Sequence, residues 1–128
     1  MKKPGIIELH EKLNNKEITS EELIKEAINN AHELQEKCNA FVTIMDDANG
    51  EFDENNYLSG IPYGIKDNYS TKDILSTGSS NTLKDYVPFF DATAVINLKN
   101  NDAVGVAKTA LDEFGMGGTG LTAHTGII

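Results

Sequence analysis

Ile6, Leu9 and Leu13 recur at helical spacing, and Asn14-Asn15 follow as a stop, so the chain opens with a short amphipathic helix. A longer helix starts at Thr19. The run Thr19-Ser20-Glu21-Glu22 has the capping-box form, in which a hydroxyl takes an early backbone N–H and Glu22 reaches back. Behind it Leu23, Ile24, Ala27, Ile28, Ala31 and Leu34 build one apolar stripe, with Glu21, Lys25, Asn29, His32 and Glu36 mostly on the other side. Two such helices must dock on something, and Ala40 to Met45 is a β-prone run that fits a strand leaving them.

Asp46 to Ser59 is polar and turn-rich, and Gly60 to Asn68 combines Gly and Pro punctuation with a short apolar strand that ends in charge. A loop around Ser76-Thr77-Gly78-Ser79-Ser80 follows. Asp91-Ala92-Thr93 opens a helix carrying Val95, Ile96 and Leu98, and Ala103 to Ala107 reads as a buried strand. Thr109 to Phe114 suggests one or two helical turns, and Gly115 to Gly120 a flexible backbone. The order strand, helix, strand predicts an α/β core led by two helices. Residues 1–39 form a helical hairpin and residues 40–128 the start of the α/β core. The ending Thr125-Gly126-Ile127-Ile128 leaves a glycine-rich loop with no closing element, which suggests a truncated chain.

Composition narrows the function classes. Among 128 residues, 11 Lys and Arg face 20 Asp and Glu, a net charge of −9. An acidic chain without a basic stripe does not grip a phosphate backbone by itself, so any nucleic acid contact has to come through a partner. Cys38 is the only cysteine, no internal disulfide is possible, and a cytoplasmic location is the default. The basic start Met1-Lys2-Lys3 runs at once into a charged helix, unlike a signal peptide, and no stretch approaches the roughly 20 apolar residues of a membrane helix.

His10, His32 and His124 lack any spacing that makes a zinc site, so no metal is expected, and His10 and His32 read as surface residues on helices. Cys38 has no neighbour that would activate it and reads as a structural thiol. Gly115 to Gly120 lacks the Gly-Lys-Ser/Thr ending of a phosphate-binding loop. Lys66 is the informative residue. Strand alternation places it on a face with Gly64 and turns it away from Asp67. That separation suits a general base: burial lets a lysine lose its proton, whereas a carboxylate on the same face would hold the proton on. Taken alone, a lysine at a strand end reads more readily as a solvated edge residue than as a base.

The company of Lys66 changes that balance. Gly60-Ile61-Pro62-Tyr63-Gly64-Ile65-Lys66-Asp67-Asn68, then Ser76 to Ser80, Val87-Pro88, Asp91 to Val95 and Leu111-Asp112-Glu113-Phe114-Gly115-Met116-Gly117 together resemble the amidase signature family across essentially the whole chain. The resemblance implies an α/β fold with a mixed sheet flanked by helices, of which this chain is the N-terminal portion, and a Ser-Ser-Lys triad whose lysine matches Lys66. In that scheme a neutral, buried lysine draws a proton through a bridging serine from a nucleophilic serine. It implies that Met116 and Gly117 line the edge of the active-site cleft. Both serines belong to Gly-Gly-Ser-Ser-Gly-Gly-Ser and Thr-Gly-Gly-Ser motifs, and neither motif occurs in these 128 residues. Ser79 and Ser80 belong to an earlier, structural motif.

The likeness is nearest to members that release ammonia from glutamine for a tRNA-dependent amidation. For those it implies amidotransferase B and C subunits as partners, tRNA held mainly by the B subunit, and ATP and Mg²⁺ on the partner rather than on this chain. A free-standing amidase and a non-catalytic interaction segment are the alternatives.

Overall fold

The structure is a computed structural model and describes residues 4–128; the basic start Met1-Lys2-Lys3 lies outside the described residues. Helices α1 (Ile6–Asn14) and α2 (Ser20–Cys38) lead into β1 (Phe41–Ile44) and β2 (Pro62–Lys66), followed by α3 (Thr93–Lys99) and β3 (Val104–Thr109). Short 3₁₀ turns occupy Asn81–Leu83 and Glu113–Gly115. The sheet order is β1-β3-β2, with β1 antiparallel and β2 parallel to the central β3, so the sheet is mixed, as the family resemblance implies.

The capping box forms. The Glu22 N–H donates to Thr19 Oγ1 at 3.2 Å and the Thr19 N–H to Glu22 Oε2 at 2.9 Å, which satisfies two orphan donors at the start of α2. The helix ends at Asn39, whose left-handed conformation (φ 50°) an asparagine tolerates, its N–H closing on the Gln35 carbonyl. From the apolar stripe, Ile24 and Ile28 pack against Val104 and Val106 of β3, with Ala27, Ile44 and Ala48 around them. Leu34, on the same stripe, stays exposed. One apolar cluster thus joins the second helix to the central strand, and none of the helices among the described residues is long and apolar enough to cross a membrane.

Five local expectations are corrected. His10 is buried rather than on the surface: its ring lies 4.5 Å from that of Tyr57 and 5.3 Å from that of Phe52, because the irregular segment after β1 folds back over α1. The helical turns expected over Thr109 to Phe114 reduce to Glu113–Gly115. Thr109 ends β3, the Ala110 N–H donates to the Ala40 carbonyl and the Leu111 N–H to Ser79 Oγ, so tertiary hydrogen bonds take the groups a helix would need. Asp91 does not cap α3, whose N-cap is Ala92. Its carboxylate instead accepts from the Lys72 N–H and from Lys99 Nζ, both at 2.7 Å, tying the helix to the loop before it. Cys38 is exposed at the end of α2, its thiol donating to the Leu34 carbonyl, so it supports no packing. Gly115 to Gly120 is not a free segment, since the Asp112 carboxylate holds the N–H groups of Thr119 and Gly120. His32 is exposed as expected, its Nε2 2.6 Å from Asp46 Oδ1.

The strand β3 runs two residues past the apolar stretch, through Lys108 and Thr109. Its register with β2 passes from Tyr63 opposite Gly105 to Gly64 opposite Ala107, so Val106 is an extra residue on β3. Such a bulge re-phases the faces of a strand. Val104 and Val106 face α2, whereas Lys108 lies opposite Ile65 on the other face.

The capping box is the best-defined local start signal in the chain, and loss of the Thr19 hydroxyl leaves the Glu22 N–H without its partner. Thr19→Ala is expected to cost about 1 kcal/mol. Urea unfolding followed by circular dichroism checks this, and a midpoint unchanged from the parent would show that the box contributes nothing here.

Candidate active site

The parallel strands β2 and β3 end together, with Lys66 opposite Thr109, and candidate sites in α/β sheets lie at such carboxyl ends. Alternation holds as the spacing predicts: Gly64 and Lys66 are exposed while Ile65 and Asp67 are buried. The burial that the family resemblance implies for the lysine is not supplied by the described residues, because β2 is an edge strand and its outer side is open. A cleft of about 210 Å³ borders Lys66, lined by Tyr63, Tyr69, Val95 and Leu98 among others. Two larger hollows, of about 640 and 650 Å³, lie along the two leading helices and contain none of Lys66, Met116 and Gly117, so size does not mark the site.

Asp67 is fully buried. Its Oδ2 accepts from the Thr77 N–H at 2.8 Å and the Thr77 hydroxyl at 2.6 Å, and its Oδ1 faces Lys108 Nζ at 3.5 Å. Lys108, equally buried, donates to Ser76 Oγ at 2.6 Å, the Tyr69 carbonyl at 2.9 Å and Thr71 Oγ1 at 3.1 Å. All three ammonium protons are therefore placed. Burial pushes the Lys108 amine below the ordinary lysine value, and the Asp67 charge pulls it back up. Sequence reasoning missed this residue. The available signal was a lysine continuing an uncharged β run, in register to meet an aspartate that strand alternation had turned inward.

The loop after β2 joins the two halves of the site. The Gly78 N–H donates to the Asp67 carbonyl, and the Gly78 carbonyl accepts from the Phe114 N–H at 2.9 Å. Ser79 and Ser80 are fully buried and structural: Ser79 Oγ accepts from the Leu111 N–H, and Ser80 Oγ donates to Glu113 Oε1 at 2.6 Å. Beyond them the carboxylate of Asp112 gathers the glycine-rich segment. It accepts from the N–H groups of Thr119 (2.9 Å), Gly120 (3.0 Å) and Thr122 (3.1 Å) and from the Thr122 hydroxyl at 2.8 Å. These donors hold the Asp112 carboxyl far below the usual aspartate range, the Gly120 N–H most of all. A Cβ on Gly117 would stand 2.5 Å from Asp112 Cγ, so the wrap requires glycine there. Met116 projects outward, 77% exposed. Lys66 and the segment holding Met116 and Gly117 thus belong to one end of the sheet, where Asn68 Nδ2 would lie 3.7 Å from a Cβ on Gly115.

The sheet is short and mixed, with a lysine at a parallel strand end and a glycine-rich segment gathered by a carboxylate beyond it. The family model for Amidase matches residues 22–127, and the chain belongs to that family. It is 45% identical to the A subunit of glutamyl-tRNA(Gln) amidotransferase from Streptococcus pneumoniae (strain 70585), over 94% of this chain and 27% of that protein. It is 44% identical to the same protein from Streptococcus thermophilus (strain CNRZ 1066), with the same coverage. The crystal structure of the A subunit of the Thermotoga maritima glutamyl-tRNA(Gln) amidotransferase superposes with a TM-score of 0.67 at 30% identity, covering 84% of this chain and 26% of that one. The peptide amidase of Stenotrophomonas maltophilia shares the fold, with a TM-score of 0.82 at 20% identity over 98% of this chain and 29% of its own. The chain spans little more than a quarter of the length of the curated relatives it matches.

Because the Asp112 carboxyl is held below the ordinary value of 3.8, the folded protein binds fewer protons there than the unfolded chain. Its contribution to stability is complete above that value and is lost as the pH falls below it. The difference in unfolding midpoint between the parent and Asp112→Asn is therefore expected to be full at about pH 6 and to shrink steadily below about pH 4. Thermal melts across that range check it; a difference independent of pH would remove the carboxylate from the account.

Proposed function

We propose that this chain supplies the lysine base of a glutamine-hydrolysing amidase, working as the A subunit of a glutamyl-tRNA(Gln) amidotransferase that converts Glu-tRNA(Gln) to Gln-tRNA(Gln). The observation that carries the reading is the placement of Lys66: at the carboxyl end of β2, on a face where its neighbouring carboxylate is absent because Asp67 is buried on the other side. The 45% identity to a protein of that name supports the particular activity. Lys66 takes a proton through a bridging serine as a nucleophilic serine attacks the side-chain amide carbonyl of glutamine, and the proton passes to the departing nitrogen as ammonia. Water then hydrolyses the acyl-enzyme to glutamate. Met116 and Gly117 edge the cleft.

In this reading the B and C subunits are the partners, tRNA is held mainly by the B subunit, and ATP and Mg²⁺ act on the partner. The net charge of −9 suits a protein that leaves the nucleic acid to another chain. The complex works in the cytoplasm.

The serines are to be sought in the segments that carry the Gly-Gly-Ser-Ser-Gly-Gly-Ser and Thr-Gly-Gly-Ser motifs, so the 128 residues by themselves are expected to release no ammonia from glutamine. The test is a full-length hybrid in which this chain replaces the matching part of the Streptococcus pneumoniae relative, assembled with that protein's partners. Lys66→Ala in the hybrid is expected to lower kcat for glutamine hydrolysis about 100-fold or more with little change in KM. An active hybrid indifferent to the substitution would overturn the assignment.

A further inference from the structure

A base beside a carboxylate in the chain needs that carboxylate neutralised, and the structure contains the group that does it. Resting on the reading of Lys66 as the base, we infer that Lys108 is its positioning residue: the buried ammonium neutralises Asp67 and pins the chain that leaves β2, so that Lys66 stands apart with no carboxylate to hold its proton.

Three observations converge. Asp67 directly follows Lys66, is 0% exposed, and its Oδ1 receives no hydrogen bond among the described residues. The positive charge facing that oxygen is Lys108 Nζ at 3.5 Å, itself 0% exposed. In a buried setting such a carboxylate projects its field onto cations around it, and Lys66 is its direct neighbour in the chain, on the opposite face of β2. The three hydrogen bonds of Lys108 fall on Tyr69, Thr71 and Ser76, all within the ten residues after Lys66, so the same side chain holds the turn that aims the strand end. The bulge at Val106 makes the meeting possible: without the extra residue, Lys108 would share the face of Val104 and Val106 and point toward α2.

The other charges around the pair are already engaged. Asp91 also acts on Lys108 and on Tyr63, and it is itself answered by Lys99 and Lys72. Asp67 and Lys108 are therefore the pair whose imbalance Lys66 would feel, and the two substitutions have opposite signs. Removing the ammonium leaves a bare carboxylate that favours protonated Lys66; removing the carboxylate charge leaves a bare ammonium that disfavours it.

The pH–rate profile of glutamine hydrolysis reads this directly, measured on the full-length hybrid described above. Lys108→Met is expected to move the acid limb of kcat upward by about half a pH unit or more, and Asp67→Asn to move it downward by a similar amount, KM staying within about threefold in both. The Asp67→Asn, Lys108→Met pair is expected to bring the limb back toward the parent position. Should Lys108→Met fail to fold, Asp67→Asn and the pair carry the test, since both leave no unpaired buried carboxylate. Limbs that stay at the parent pH, or that move in the same direction in both single variants, would overturn the inference and reduce Lys108 to a fold-holding group. Loss of activity in Lys66→Ala with unmoved limbs in these variants defeats the inference alone; full activity in Lys66→Ala defeats the proposed function itself.

Discussion

The buried contact between Lys108 and Asp67 is the constraint around which the rest of this structure is arranged. Removing two opposite charges from water is expensive, and their attraction offsets the cost only when the remaining donors and acceptors are satisfied. Here Thr77 binds one carboxylate oxygen and Tyr69, Thr71 and Ser76 take the three ammonium protons, while the other carboxylate oxygen has only the facing ammonium at 3.5 Å. Every one of those partners lies in the loop between β2 and the first 3₁₀ turn, so the loop has no freedom to move without uncovering a charge. The Ser/Thr-rich composition of that segment, which looks like an ordinary surface loop, supplies hydroxyls that join backbone groups in replacing the water around a buried ion pair.

From that pair the order spreads outward by short steps. The Asp67 carbonyl holds Gly78, Gly78 holds Phe114, and Ser79 and Ser80 hold Leu111 and Glu113. Asp112 then gathers Thr119 to Thr122. A glycine-rich segment with little side-chain packing of its own is thereby fixed relative to the end of β2. The apolar core does a different job. Ile24 and Ile28 on Val104 and Val106 anchor the leading helix to the opposite face of the sheet and leave the site end to polar contacts.

The elements whose signals are local were legible in the sequence. Thr19 with Glu22, the stripe of α2, the three short strands and the α3 helix all follow from capping chemistry and periodicity, whereas their order alone leaves the strand pairing open and only the family resemblance points to a mixed sheet. The alternation that separates Lys66 from Asp67 is equally local. What was not legible depends on contacts distant in the chain. His10 looks like a surface residue until residues 52 and 57 fold over it. The helical turns expected after Thr109 fail because Ala40 and Ser79, remote in sequence, bind the N–H groups of Ala110 and Leu111. Lys108 was hidden most deeply. Its face depends on a bulge at Val106, and period-two reasoning from Val104 assigns it to the wrong side.

That bulge also explains how one short sheet keeps two incompatible environments apart. The α2 face of β3 is dry and aliphatic, and a lysine there would face Ile24 and Ile28 with no acceptor. Moving Lys108 to the opposite face gives its ammonium a carboxylate and three oxygens, and keeps it off the face that Lys66 shares with Gly64. Two lysines at adjacent register positions therefore have opposite fates: one fully buried with every proton bound, the other exposed and free of its neighbouring carboxylate. The end of β2 is thereby held without help from the aliphatic core, because its costly polar contacts are made within the β2–β3 pair and the loop that follows β2.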